Sequence, residues 1–551
     1  MLSMYLLMIN LANRQRSDTM GYEEYLDKVK QMIDDLKAMT ADLGLANTGD
    51  EYKIISELFT YKFLNDKLSY SFEKREDKEE TFDDFIDFAD TNTPRIKDEY
   101  KLEKLFQKQN DEKKPFNKRL DEAFVAISEM NKDVYSIETS TGAKKPLFEP
   151  LSVYLRDPDK ELELAKRAIN ILCNYQFGGE IFEQGWDYFS SVFEYLIKDY
   201  NKDSGKYAEY YTPAFAGAIM ADILYNDTPV DQVEIYDPAA GSGTLLLSLA
   251  TKIGVKNCTI YSQDRSQKST QFLRINLILN NLAQSLEYVI EGNTMTNPMH
   301  LDGDKLKKFD FIVSNPPFTV DFSADVEAMK NDKYNRFFAG IPNVPKKDKK
   351  KMAIYLPFLQ HILASLKEDG KAAVVVPNGF LTFNSGIQKK IRKEIVDNNW
   401  LRGVISMPAN IFATTGTSVS IIFIDKSRPE AKQDIILIDA TKLGRKVSLE
   451  DGQRTILSHE DEQLIINTFK NENEVDDFSA LVTKEKIQDR SYSFSAGQYF
   501  PVKMDFSEIT KQEFEDEIGK LTKEIEELFE LNEKYENKIK NDLGALRYEE
   551  I

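Results

Sequence analysis

Cysteine is nearly missing from the 551 residues: Cys173 and Cys258 are the only two, and histidine is limited to His300, His361 and His459. Two thiols cannot build a disulfide framework, and three scattered histidines offer no ligand spacing, so a reducing, cytoplasmic protein without a metal site is expected. Basic excess is missing too. Ninety-two acidic against 72 basic residues give a formal charge of −20, which excludes a whole-chain basic coat. A polyanionic substrate would have to meet a local patch or a partner. The apolar run Met1 to Leu11 falls short of the roughly 20 residues a bilayer span needs. It also has no basic segment before it and no small-residue cleavage site, so neither a membrane segment nor a signal peptide is expected. Arg16-Ser17-Asp18-Thr19 reads as a translated ribosome-binding site, which makes Met20 the expected start and residues 1–20 an upstream extension or a disordered tail.

What is present, 30% charged and 41% hydrophobic residues, suits two or three soluble domains with a large core. From about Tyr22 to Tyr200 apolar residues recur at helical spacing, as in Tyr25, Val29, Met32, Ile33 and Leu36, which predicts a helical N-terminal domain over 21–180. Charged stretches at Phe72–Glu80 and Thr139–Lys145 read as loops, and Phe182, Trp186, Phe189, Val192, Phe193 and Leu196 as a packed helix face. After Tyr200 short β-rich runs alternate with helices. Strands are expected at Val233–Tyr236, Cys258–Gln263, Tyr288–Glu291, Phe309–Ser314, Ala372–Val376, Leu401–Met407 and Ser418–Ile424. Helices are expected at Gly243–Ile253, Ser266–Leu282, Met352–Leu366 and Ile387–Asn398. The alternation predicts an α/β domain over 181–475 with an open, mainly parallel sheet, its last two strands added antiparallel at the edge. The remainder, 476–551, carries a heptad-like seam, Phe514, Ile518, Leu521, Ile525, Leu528, Tyr535, Ile539 and Leu546, suited either to folding back or to a partner helix.

The chemistry concentrates where strands end. In Asp237-Pro238-Ala239-Ala240-Gly241-Ser242-Gly243-Thr244 a strand gives way to a glycine turn and then to a helix whose free amides would face a crevice, the layout of a nucleotide cradle. Leu246 replaces the third glycine of the dinucleotide fingerprint, and a plain tight turn would look similar. Asp264, at the end of the next strand, is placed to take both hydroxyls of a ribose. A dinucleotide or S-adenosylmethionine fits equally to this point. Ser314-Asn315-Pro316-Pro317-Phe318 then puts an amide, two direction-fixing prolines and an aromatic ring on another strand end, a rigid hydrogen-bonding clamp with a stacking platform.

These motifs resemble the amino-methylating DNA methyltransferases, and specifically the methylation subunits of type I restriction-modification systems. Ala208-Glu209-Tyr210-Tyr211-Thr212-Pro213 is similar to the family's cofactor segment, Asp237 to Gly243 to its cofactor loop, Gln263-Asp264 to its ribose-binding pair, and Asn315-Pro316-Pro317-Phe318 to its catalytic motif. Phe358-Leu359-Gln360-His361, Val376-Pro377-Asn378-Gly379 and Pro408-Ala409-Asn410-Ile411-Phe412 resemble its later sheet and loops. The resemblance implies a Rossmann-like S-adenosylmethionine-dependent fold of the gamma class. It places the cofactor against Asp237, Pro238, Gly241, Ser242, Gly243, Asp264, Asn293 and Thr294, and implies a flipped adenine whose amino group is held by Asn315 and the Pro316 carbonyl beneath Phe318. Implied partners are DNA, a specificity subunit, a second copy of this chain and a restriction subunit.

The sequence departs from the family pattern in three places. Asn293 stands where relatives often have Asp, Asp264 where Glu is usual, and Ile354-Tyr355 where Ala-Asp is common. The one dense basic run, Lys346, Lys347, Lys349, Lys350 and Lys351, follows the catalytic strand and reads either as a solvated loop or as a phosphate contact. Two other functions stay open at this stage. One is a scaffold subunit that has lost turnover through changes such as Asn293 and Tyr355; the other is a stand-alone methyltransferase, although no long recognition domain follows about Lys426.

Overall fold

The computed structural model describes residues 19–545 except 47, 140, 156, 178–180, 185–191, 193–194, 196–211, 227, 413–417, 433, 450–451 and 502–509. The cofactor-segment residues Ala208, Glu209, Tyr210 and Tyr211, the residues before Thr19, Trp186, Phe189, Phe193 and Leu196 of the expected stripe, and Leu546 of the expected seam therefore lie outside the described residues.

Helix α1 (Thr19–Asp42) buries Val29, Met32, Ile33 and Leu36, the stripe its periodicity predicts. It packs on α2 (Glu51–Lys74) and, with α3 (Phe116–Met130), on α4 (Pro158–Cys173). Pro158 occupies the first turn of α4 and the Asp157 carboxylate caps it. Two expected loops prove partly regular. Helix α2 runs on through Phe72 to Lys74, and Thr139–Lys145 lies in a hairpin, β1 (Ile137–Thr139) with β2 (Lys144–Lys145), whose turn carries Gly142 at φ +79°. Strand β1 runs parallel to the strand Val289–Glu291, so the helical region extends the main sheet.

That sheet also contains β3 (Val233–Asp237), β4 (Cys258–Asp264), β5 (Val289–Glu291), β6 (Phe309–Ser314), β7 (Leu366–Pro377), β8 (Leu401–Ser406), β9 (Val419–Asp425), β10 (Ile435–Asp439) and β11 (Ser479–Val482). Their order is β11-β10-β8-β9-β7-β6-β3-β4-β5-β1-β2. The run from β1 to β7 is parallel. The two late strands do not form the edge: β9 sits between β7 and β8, antiparallel to both, and β10 and β11 continue beyond. Helices α5 (Ala214–Leu224), α6 (Thr244–Ile253), α7 (Gln267–Leu279), α8 (Val326–Lys330), α9 (Tyr355–Ser365), α10 (Gly386–Asp397) and α11 (His459–Lys470) connect and cover the strands. Alternate strand residues serve opposite faces: Val313 and Ala373 join the core shared with the N-terminal helices, Ile312 and Val374 the core beneath α9 and α10. Arg274 of α7, buried, donates to the Lys145, Pro146 and Leu147 carbonyls and so ties the end of β2 and the segment after it to α7.

One compact unit ends at Phe500 and a second begins at Pro501. This break lies later than the expected boundary at 476, because β11 pairs with β10 and belongs to the sheet. The second unit is the helix α12 (Lys511–Ala545), along which Phe514, Ile518, Leu521, Ile525, Leu528, Tyr535 and Ile539 are exposed. Among the described residues no helix is long and apolar enough to cross a membrane, and no His/Cys/Asp/Glu group could hold a metal ion.

Candidate active site

Strand β3 ends at Asp237, whose Oδ1 accepts from the Ala239 amide (2.9 Å) and the Ser314 hydroxyl (2.7 Å). One carboxylate oxygen thereby fixes both the turn after β3 and the end of neighbouring β6. The loop continues through Gly241 at φ +55° and Gly243 at φ +87°. A Cβ on Gly243 would stand 2.3 Å from Leu273 Cδ1, a side-chain end that can shift, so it is the left-handed turn that requires glycine there. Two amides of the glycine turn are used inside the protein: Gly241 donates to Asp264 Oδ2 (2.9 Å) and Gly243 to the Ala240 carbonyl (2.8 Å). The Ser242 carbonyl accepts from Asn276 (2.8 Å) and the Pro238 carbonyl from the Thr294 hydroxyl (2.8 Å). Thr294 is thus a clamp on the loop.

Asp264 takes the Ser266 amide on Oδ1 (2.7 Å) beside the Gly241 bond on Oδ2. Each carboxylate oxygen keeps further acceptor capacity for a diol. Burial raises both carboxyls above the ordinary range; Asp237, with Asp264 nearby, is pushed up to about 8.

A cavity of about 720 Å³ opens over these strand ends. Of the expected residues, Pro238, Ala239, Asp264, Asn293, Thr294 and Pro317 line it, while Asp237 is buried behind them. Phe322, Ile354 and Phe358 form an apolar wall. The sequence reading missed the wall formed by Thr48, Asp50, Tyr52 and Lys53 at the start of α2, and also Lys268 and Asp325. Nothing in those segments has a motif; only the tertiary fold brings them here.

At the end of β6 the Asn315 amide nitrogen donates to the buried Thr212 hydroxyl (3.1 Å). Its nitrogen end is thereby anchored, and its carbonyl oxygen is free to act as an acceptor. Pro213 caps α5, Pro316 is buried, and Pro317 faces the cavity. Phe318 is half-buried and meets Tyr355 edge-on at 6.4 Å, so the residue that breaks the family pattern at 355 buttresses the ring.

The loop after the clamp is pinned by Arg336, fully buried and unrecognised in the sequence. It pairs with Asp332 and donates to the Thr294 and Met295 carbonyls (2.8 Å each) and towards His361 Nδ1 (3.3 Å). His361 also meets the Tyr236 hydroxyl (3.0 Å), and burial holds it well below its usual range, so it is a neutral structural residue. Gln360 holds the Ala339 amide and the Gly340 carbonyl. Lys346, Lys347, Lys349, Lys350 and Lys351 are exposed, and the Val320 amide bonded to the Met352 carbonyl (3.1 Å) keeps the run beside the residues that follow Phe318.

The family profile described as N-6 DNA Methylase matches residues 184–507, more than half of the chain and the whole span of these strand ends. The chain belongs to that family. It is 28% identical over 373 residues to the type I restriction enzyme MpnII methylase subunit of Mycoplasma pneumoniae, covering 66% of this chain and 64% of that one. It is 28% identical over 397 residues to the MjaIX methylase subunit of Methanocaldococcus jannaschii, covering 69% and 66%. The matched part therefore spans just under two thirds of these relatives. In fold it is similar to the type I restriction-modification system methyltransferase subunit from Streptococcus thermophilus, with a TM-score of 0.66 at 22% identity over 86% of this chain and 99% of that one. A chain from a structure of type I restriction-modification complex assembly gives 0.55 at 17% identity over 94% and 99%.

Proposed function

We propose that this chain transfers the methyl group of S-adenosylmethionine to the exocyclic amino group of adenine in DNA, as the modification subunit of a type I restriction-modification complex. Family membership and the type I methylase relatives support the reaction class. The observation that carries the reading is the Asn315–Thr212 bond, which leaves an amide oxygen as acceptor two residues from Pro317 on the cavity wall.

The cavity's residues fit the cofactor. Its volume is in the range of small-molecule sites, Asp264 offers a carboxylate to a diol, and Phe322, Ile354 and Phe358 suit a purine face. When bound, the cofactor supplies an electrophilic methyl group on a sulfonium. Asn315 Oδ1 and the Pro316 carbonyl accept from the adenine amino group and aim its nitrogen lone pair, while Phe318, braced by Tyr355, stacks on the base. Tyr355 is a support and not a lesion, which weighs against a scaffold without turnover. The lysines at 346, 347 and 349–351 meet backbone phosphate. The acidic remainder relies on a specificity subunit to read bases, within a cytoplasmic complex that also holds a second copy of this chain and a restriction subunit.

The test is co-expression with the neighbouring genes of the native operon, followed by sequencing of methylated adenines. Asn315→Ala with Phe318→Ala should abolish methylation while calorimetric binding of S-adenosylmethionine persists. Methylation at a cytosine carbon would overturn the assignment, because that reaction needs an activated thiol. Burial pushes Cys173 up to about 11 and Cys258 up to about 12.

A further inference from the structure

The resemblance places the cofactor against Asn293, where relatives often have Asp, so that its side-chain oxygen would be the acceptor there. The geometry gives that oxygen another task. Asn293 Oδ1 accepts from the Met295 amide (3.1 Å), and Nδ2 donates to Asp325 Oδ2 (3.1 Å). Both ends of the amide are engaged, and the group it points to is a carboxylate on the cavity wall.

Asp325 is itself unusual. It directly precedes α8, where an aspartate ordinarily caps the helix, yet its side chain makes no capping bond. It turns to Asn293 instead, with Arg265 Nη1 3.6 Å from the same Oδ2. Among the described residues Oδ1 has no hydrogen-bond partner, and the side chain keeps 23% of its exposure. A half-buried carboxylate with one oxygen held and the other open, between the end of β5 and apolar Phe322 and Phe358, is a fixed acceptor at the edge of the cavity's apolar wall.

We infer that Asp325, held by Asn293, is the residue that accepts the exocyclic amino group of the cofactor's adenine. The carboxylate missing from position 293 is supplied by another segment, and Asn293 becomes its positioning residue. The inference rests on the cofactor reading above. It also makes a distinctive statement about substitution: in Asp325→Asn the Asn293 amide would claim the new side-chain oxygen, turning an NH2 group to the cavity. An acceptor would become a donor with no change of shape.

The full chain is titrated calorimetrically with S-adenosylhomocysteine and with S-inosylhomocysteine, which carries a 6-oxo group in place of the 6-amino group. The unaltered protein should bind the adenosyl compound at least tenfold more tightly. Asp325→Asn should weaken adenosyl binding about tenfold or more and level or reverse the preference, and Asp325→Ala should level it. Undiminished inosyl binding by these variants would establish that they are folded. If both variants keep the original preference while Asp264→Ala weakens both ligands alike, the cofactor occupies this crevice and Asp325 is not its reader. If the unaltered protein binds neither compound, or Asp264→Ala binds both undiminished, the cofactor reading itself falls.

Discussion

Single hydrogen bonds decide what the strand-end residues can do. Thr212 lies in a segment expected to touch the cofactor, but its hydroxyl takes the Asn315 amide nitrogen and, on the proposed reaction, leaves the oxygen end of that amide for the substrate. Asp237 holds the glycine loop and β6 together through one oxygen, at the cost of a buried carboxyl raised to about 8. The consequence for stability has a definite sign. An unfolded aspartate ionises near pH ~4, so between that pH and 8 the folded protein retains a proton that the unfolded chain has lost. Stability from this group is complete below about pH 4 and falls as pH rises towards 8. Asp237→Asn keeps an Oδ1 acceptor for Ala239 and Ser314 and removes the titration. Its urea midpoint, compared with that of the parent protein, should therefore gain steadily from pH 5 to pH 8. Glu57, also raised to about 8, and Glu462, raised to about 7, titrate in both proteins and cancel in the difference. A gap that narrows with pH would mean that the native fold stabilises the ionised carboxylate.

Among the secondary elements, the join between the helical region and the sheet is held by Arg274. Its guanidinium meets three successive carbonyls in a buried setting, and that burial lowers it to about 10. Arg274→Met should cost about 3 kcal/mol of stability, the scale of charge-assisted bonds lost with acceptors left buried. Arg274→Lys should fall between, since an ammonium cannot span three acceptors. Chemical denaturation measures both, and a Met variant as stable as the parent would make this anchor dispensable. The same join explains what the sequence could not reveal. Strands β3, β4 and β6 announce themselves through apolar runs ending in Asp237, Asp264 and Ser314, because a strand buried on both faces must be apolar and its polar end stands out. Strands β1 and β2 are three and two residues long and lie at the edge, where Lys144 and Lys145 are suitable and read as loop. Lys145 pairs with Glu291 of β5, a contact 146 residues apart that local pattern cannot encode. Arg336 was equally hidden, since a buried arginine bonding carbonyls has no periodicity. The motif order made the candidate strand ends legible; the cavity's other wall came from residues 48–53, which join it only after folding.

For the whole molecule, charge and exposed apolar surface point the same way. A chain of formal charge −20 is poorly suited to hold DNA alone, and its dense lysine run is a small patch beside the clamp. Helix α12, taken by itself, exposes Ile518, Leu521, Ile525 and Leu528 in steps of three and four between glutamates and lysines. That is a heptad seam with flanking charges, and each such side chain fully buried would contribute ~1.5–3 kcal/mol before ordering costs. A stripe of this size left in water would be a liability. We expect the specificity subunit to cover it. Because the sheet-bearing unit already ends at Phe500, truncation after Phe506 should leave a protein that melts cooperatively and binds S-adenosylmethionine with unchanged affinity. That protein should fail to co-purify with the specificity subunit and should leave chromosomal adenines unmodified. Glutamate substitutions at Leu521 and Ile525 should reproduce the defect without removing any chain. If the truncated protein still assembled and methylated the same sites, α12 would be dispensable for assembly, and the interface would have to be sought on the first unit.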